Sequence, residues 1–309
     1  MKQAALIVLA FALLLASCMS EANKLEKANL ELGSKKNPIK MYFVPSMEAS
    51  TVVTSGEAIA AWLEQETGYK FKVAVPTSYA AVVEAIGAFQ ADVAWLPTFA
   101  YVLAEEKYGA EVEFMTVRNG LNKYCGQFVA RADSGIDSLQ HIEGKVVAYT
   151  DAASTSGYIY PSAILKQKGI VPARYTLAGG HPQAITAVYN GTADVACTYW
   201  SPPDASGKPM DAREKLLQTY PDVFSKLKIV ALTDSIPNDT VTFRRGLPAE
   251  VQNSLVSALE KFSGSKDGQA VLRELYDIDG LTRATKADYD IVRQTLKTLG
   301  KDPGQFFKN

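Results

Sequence analysis

Apolar and polar positions along this chain alternate between two periods. Pro38–Val44, Tyr69–Val75 and Ala91–Trp95 are short apolar or alternating runs, the pattern of strands. Between them, Gly56–Gly68, Ser78–Phe89 and Thr98–Tyr108 have helical apolar spacing, with Ile59, Ala60, Trp62 and Leu63 in the first and Ala81, Val82, Ala85 and Ile86 on one face of the second. The order β-α-β-α-β predicts a parallel sheet with crossover helices. Strands at Glu111–Val117 and Gly126–Arg131 follow, and the alternation then restarts. A short helix at Leu139–Ile142 leads to strand Lys145–Thr150, helix Ser154–Lys168, strand Arg174–Leu177, helix His181–Asn190 and strand Ala193–Tyr199. The two units match locally, Ala91-Asp-Val-Ala-Trp95 against Ala193-Asp-Val-Ala-Cys197. Strands Lys228–Leu232 and Thr240–Phe243 and helices Pro248–Phe262, Asp267–Tyr276 and Lys286–Leu299 complete the chain.

This pattern predicts an α/β protein of two lobes with a ligand cleft at the carboxyl ends of the strands. A length of 309 residues suits two lobes better than one core. The expected division is a signal segment at 1–17, a flexible tether at 18–37, the first part of lobe 1 at 38–130, lobe 2 at 131–239, and a return to lobe 1 with C-terminal helices at 240–309. The signal is read from Lys2 and the apolar run Ala4–Ala16, which is too short for a stable membrane span. It closes on Leu15-Ala16-Ser17-Cys18, which resembles a bacterial lipobox and implies lipid attachment at Cys18. The tether is read from a Ser-, Glu-, Asn- and Lys-rich composition without an apolar face.

Charge and cysteine content exclude several classes. With 32 basic against 33 acidic residues, nothing points to nucleic acid or a polybasic membrane surface. Cys125 and Cys197 sit in apolar strand-like runs and are expected as buried free thiols. No CxxC pair or HExxH spacing supports a metal site, and no cofactor is indicated.

The richest segment chemically is Thr150-Asp-Ala-Ala-Ser-Thr-Ser-Gly157, a hydroxyl-rich turn between a strand and a helix. A helix start carries backbone N–H groups without intrahelical partners and a partial positive charge, so Ser154, Thr155 and Ser156 with Gly157 could hold an oxyanion. A serine there is equally explained as an N-cap. His181, after Gly179-Gly180, opens a second helix and could donate to the same anion, or simply cap. Asp239, in Ile236-Pro-Asn-Asp-Thr240, is turn chemistry or a carboxylate that accepts from a protonated oxyanion. Tyr79, Tyr124, Tyr199 and Trp200 are core aromatics or pocket walls.

Taken together these residues resemble the phosphate/phosphite/phosphonate-binding proteins of ABC importers. The matching pieces are Ser154-Thr-Ser-Gly157, Ala178-Gly-Gly-His181, Ile236-Pro-Asn-Asp-Thr-Val-Thr-Phe-Arg244, and Ser78-Tyr-Ala-Ala-Val-Val-Glu-Ala-Ile86 leading to Ala91-Asp-Val-Ala-Trp95. The resemblance implies a type II-like periplasmic binding protein, each lobe a mixed sheet flanked by helices, with no catalysis. In it Ser154, Thr155, Ser156 and His181 would hold the phosphorus oxygens, Tyr79 and Tyr124 would close from lobe 1, and Asp239 would accept from a protonated oxygen or an amine. Its partners would be a membrane permease and, through Cys18, the membrane itself, with the receptor a monomer. Aminophosphonate binders of this family carry a glutamate where Ser201 stands here, and the segment before Asp239 is longer. That leaves a larger aromatic phosphate ester, such as a phosphorylated vitamin stacked on Tyr199 and Trp200, as an alternative ligand. A Ser/His/Asp hydrolase is the enzyme alternative.

Overall fold

The computed structural model describes residues 21–204 and 206–298. The signal segment and Cys18 lie outside the described residues. Residues 21–29 form helix α1, followed by β1 (Ile39–Phe43), α2 (Ala49–Thr67), β2 (Phe71–Ala74), α3 (Tyr79–Gly87), β3 (Val93–Leu96), α4 (Thr98–Tyr108) and β4 (Glu111–Val117). The chain then crosses to lobe 2: β5 (Lys123–Arg131), β6 (Val146–Tyr149), α5 (Tyr160–Gln167), β7 (Arg174–Leu177), α6 (His181–Tyr189), β8 (Val195–Ser201), β9 (Met210–Asp211), α7 (Val223–Lys226) and β10 (Leu227–Pro237). It returns to lobe 1 with β11 (Thr240–Phe243), α8 (Ala249–Gly264), α9 (Lys266–Tyr276), β12 (Gly280–Arg283) and α10 (Asp290–Thr298).

Lobe 1 is a mixed sheet in the order β12-β4-β11-β3-β1-β2, and lobe 2 a mixed sheet in the order β10-β5-β8-β6-β7 with β9 beside β8. The predicted β-α-β-α-β units form the parallel parts, β2-β1-β3 and β7-β6-β8. The repeated Asp-Val-Ala has one structural cause in both lobes. Asp92 Oδ2 accepts the backbone N–H of Lys40 at 2.9 Å, and Asp194 Oδ2 accepts that of Val146 at 2.8 Å. Each aspartate thereby fixes the start of the adjacent parallel strand. Apolar side chains cover both faces of both sheets, and one cluster runs from α3 and α4 of lobe 1 to Ile159 and Tyr160 of lobe 2.

Two expected boundaries differ. The first crossing falls at 118–122, before β5, rather than after residue 130, because β5 pairs antiparallel with β10 and β8 of lobe 2. The run at 123–131 has the same apolar pattern on either sheet, so only its partners distinguish the two. The segment 21–37, expected as part of a flexible tether, is docked on lobe 1. Asn29 Oδ1 accepts from Arg244 at 2.6 Å, Asn29 Nδ2 donates to the Gly246 carbonyl at 3.0 Å, and Asn37 Nδ2 donates to the carbonyls of Ala28 and Leu30 at 2.9 Å. Polar side chains make its hydrogen bonds and Leu32 joins the lobe 1 core; one such leucine in a polar run does not read as an apolar face. Cys125 and Cys197 are free, with Cys197 buried and Cys125 half-buried.

Arg244 and Asp92 form an ion pair at 2.7 Å with neither side chain exposed. Removing one partner leaves a buried charge uncompensated. Asp92→Ala is expected to lose about 3–5 kcal/mol in urea denaturation. Asp194→Ala, at an exposed bond, is expected to lose only about 1 kcal/mol.

Candidate functional site

The two lobes meet through backbone donors of lobe 1 and side chains of lobe 2. Thr155 Oγ1 accepts the Phe99 N–H at 2.8 Å, and Asp151 Oδ2 accepts the Tyr79 N–H at 3.3 Å. In return the His181 N–H reaches the Ser46 carbonyl at 3.4 Å. Between them lies a cavity of about 680 Å³, counting its open mouth. Tyr79, Tyr124, Ser154, Ser156, His181, Tyr199, Ser201 and Asp239, all singled out in the sequence, line it.

The hydroxyl-rich turn has a more divided job than its sequence implied. Thr155–Ile159 is a π-helical turn that runs into α5. Ser154 is its N-cap: Oγ accepts the Gly157 N–H at 3.1 Å, so the capping reading holds, yet the hydroxyl proton stays available. Ser156 lines the cavity. Thr155 does not: its Oγ1 accepts from Phe99 of lobe 1, so it acts as a strut between lobes. The N–H groups of Thr155 and Ser156 meet no acceptor among the described residues, as expected for a helix start. Gly157 is required by packing, since a Cβ there would lie 2.2 Å from Thr150 Oγ1 and 2.8 Å from Ser154 Oγ.

His181 opens α6 and is almost fully buried. Its Nδ1 lies 3.3 Å from Thr150 Oγ1, and its ring meets that of Tyr199 edge-on at 4.9 Å. Burial, aided by the nearby Arg118 charge, pushes its pKa down to about 3. The imidazole is neutral at neutral pH and offers one N–H donor and one acceptor nitrogen. Trp200 does not line the cavity. Side chains alternate along β8, so Tyr199 and Ser201 share the cavity face and Trp200 takes the other. The stacking pair proposed for an aromatic ester thus loses one of its two rings.

Tyr79 is buried, with its hydroxyl directed towards Ser46 but outside hydrogen-bond geometry of any protein group. Burial pushes the phenols of both Tyr79 and Tyr124 up, so they remain donors. Asp239 Oδ2 accepts from Arg118 at 2.7 Å, while Oδ1 is buried without a partner. Arg118, Ser46 and Tyr276 also line the site and are not among the residues singled out in the sequence. Arg118 stands in the crossing after β4, and Tyr276 ends α9, whose hydroxyl-bearing ring reaches the Val44 carbonyl at 2.7 Å. None of the three belongs to a local pattern; an unpaired arginine in a short inter-strand loop was the one available signal. Among the described residues no cluster of three or more His, Cys, Asp or Glu side chains could hold a metal ion.

A family profile described as "ABC transporter, phosphonate, periplasmic substrate-binding protein" matches residues 41–289. The phosphate-import protein PhnD of Mycolicibacterium smegmatis is 28% identical over 312 aligned positions, 94% of each chain. The phosphonates-binding periplasmic protein of Escherichia coli is 24% identical over 221 positions, 69% of this chain and 62% of that one. Among solved structures, a binding protein component of an ABC phosphonate transporter from Pseudomonas aeruginosa has a TM-score of 0.75 at 23% identity, covering 85% of this chain and 87% of its own. A PhnD1 protein from Prochlorococcus marinus in complex with methylphosphonate has a TM-score of 0.73 at 16% identity, covering 85% and 98%. The last two establish the two-lobed fold.

The depressed pKa of His181 has a sign that can be checked. An unfolded histidine titrates near 6.5, so below that pH the unfolded chain takes up a proton the folded chain refuses. The stability contributed by neutral His181 is complete above about 6.5 and is lost as pH falls towards about 3, by up to about 1.4 kcal/mol per pH unit. Urea denaturation from about pH 7 to about pH 4 should show that slope, and His181→Gln should flatten it. Gly157→Ala is expected to disrupt the turn and cost about 1–3 kcal/mol, read in the same denaturation assay.

Proposed function

The chain belongs to the phosphonate-binding family of periplasmic substrate-binding proteins of ABC transporters, and we propose that it captures a small phosphorus oxyanion (phosphate, phosphite or a phosphonate) in the interlobe cavity. The observation that carries this reading is a set of polar groups without protein partners: Tyr79 Oη and Asp239 Oδ1 on the cavity wall, and the N–H groups of Thr155 and Ser156 in the turn that brings Ser154 and Ser156 to it. Buried polar groups are normally satisfied, and each one left alone costs about 1–3 kcal/mol. Three of these four are donors, as an oxyanion requires. The backbone N–H pair and Ser156 would take the phosphorus oxygens at the positive end of the helical turn. Tyr79 and Tyr124 would donate from the opposite side, and Asp239 would accept from a protonated oxygen. Phosphate import by the Mycolicibacterium relative and the methylphosphonate held by the Prochlorococcus protein support the ligand class.

The protein is a transport receptor rather than an enzyme, as its relatives are. Ser201 occupies the wall where aminophosphonate binders carry a carboxylate, which supports a ligand without an amine. We propose further that Cys18 is lipidated, on the strength of Leu15-Ala16-Ser17-Cys18, and that the anchored monomer delivers its ligand to a permease outside the cytoplasm.

Calorimetry with phosphate, phosphite and methylphosphonate should give saturable binding to at least one; heat with none of them would refute the reading. Ser156→Ala, which disturbs no cap, should weaken binding by roughly ten- to a hundredfold, the value of a hydrogen bond to a charged group. An aminoalkylphosphonate should bind no more tightly than methylphosphonate. Labelled fatty acid should enter the protein in cells and be lost in Cys18→Ser.

A further inference from the structure

Arg118 stands on the first crossing between lobes and Asp239 on the second. Each of the three guanidinium nitrogens donates to the protein: Nε to the Tyr276 carbonyl at 2.9 Å, Nη1 to Thr116 Oγ1 at 3.1 Å, and Nη2 to Asp239 Oδ2 at 2.7 Å. Asp239 keeps one buried oxygen, Oδ1, with no partner. The other carboxylate on the cavity wall, Asp277, is paired with Lys215 at 2.7 Å. Every charged side chain lining the cavity is therefore cancelled by an opposite charge, and no free cation faces the ligand among the described residues.

We infer that Arg118 determines specificity: by occupying Asp239 Oδ2 and cancelling its charge, it leaves Oδ1 as an obligate acceptor in an electrically neutral cavity, so the site takes an oxyanion that carries one proton and rejects the same oxyanion without it. This rests on the proposed function and names the ligand's protonation state. A carboxylate oxygen accepts hydrogen bonds and cannot donate. Against a P–OH group it gains a charge-assisted bond. Against a bare P–O⁻ it meets a second acceptor with no proton between them, and the extra negative charge finds no cation.

The groups facing this pair leave the ligand's proton as the one that matters. They are Tyr79 of α3, Tyr124 of β5, Tyr276 of α9, Tyr289 ahead of α10, Tyr199 of β8, Asp277 with its Lys215, and His181. Burial pushes all five phenols up and His181 down to about 3, so these stay neutral across neutral and mildly alkaline pH.

The test is calorimetric titration with phosphite and with methylphosphonate from about pH 6 to about pH 9, on variants whose folding is checked by thermal unfolding. Wild-type affinity should fall by up to about tenfold per pH unit above the second ionisation of either ligand, which removes its only P–OH. In Asp239→Asn the amide can donate and Arg118 is released as a cation, so affinity should no longer fall with pH. Arg118→Met leaves a lone buried carboxylate and should lose about a hundredfold or more at neutral pH. Arg118→Met/Asp239→Asn should recover most of that loss with a flat pH profile. The inference is overturned if Arg118→Met keeps wild-type affinity and slope, or if Asp239→Asn, which is nearly isosteric and decides the matter should Arg118→Met not fold, keeps the wild-type slope. Failure of the wild type to bind phosphate, phosphite and methylphosphonate alike would instead overturn the proposed function, and this inference with it.

Discussion

Closing two lobes over a polar cleft strips water from groups that must then find another partner. Here most of them find one in the opposite lobe: Phe99 N–H in Thr155, Tyr79 N–H in Asp151, His181 N–H in Ser46. Tyr79 Oη and Asp239 Oδ1 do not, and both residues line the cavity. At about 1–3 kcal/mol each, they make the closed state without a ligand costly. A ligand that satisfies them stabilises closure by the same amount, which links recognition to the motion of the lobes.

The crossings between lobes give this linkage a location. Asn238 binds both strands of the junction, its N–H to the Asn122 carbonyl at 2.9 Å and its Nδ2 to the carbonyls of Thr116 and Leu121 at 2.9 Å. Its neighbour Asp239 contacts Arg118 on the other strand. The carboxylate that faces the cavity is thus part of the structural element about which the lobes are joined. The buried Asp92–Arg244 pair and the apolar faces of the two sheets lie away from it.

Much of the fold was legible because its signals are local. Strand and helix periods give the elements, and two β-α-β units in series give two lobes. The repeated Asp-Val-Ala was visible as a repeat, though its cause, an aspartate gripping the next parallel strand, is a contact between segments far apart in sequence. Sheet membership of 123–131 depends on its partners, β8 and β10, and so could not be read locally. The docked segment 21–37 reads as a tether because its composition is polar: asparagines make its hydrogen bonds, and Leu32 joins the core without an apolar period around it. At the site, motif residues reached the cavity where backbone direction agreed. Thr155 and Trp200 missed it because one hydroxyl was claimed by Phe99 and one ring fell on the wrong side of β8. Arg118 came from no motif; only the fold brings it to Asp239.

The central claim is that the unsatisfied groups of the cavity are completed by a phosphorus oxyanion. Native mass spectrometry of the protein purified without added ligand, followed by release and identification of the bound species, tests it most directly. One small phosphorus oxyanion per chain is the expected species. A stoichiometric ligand without phosphorus, such as an amino acid or a sugar, would contradict it.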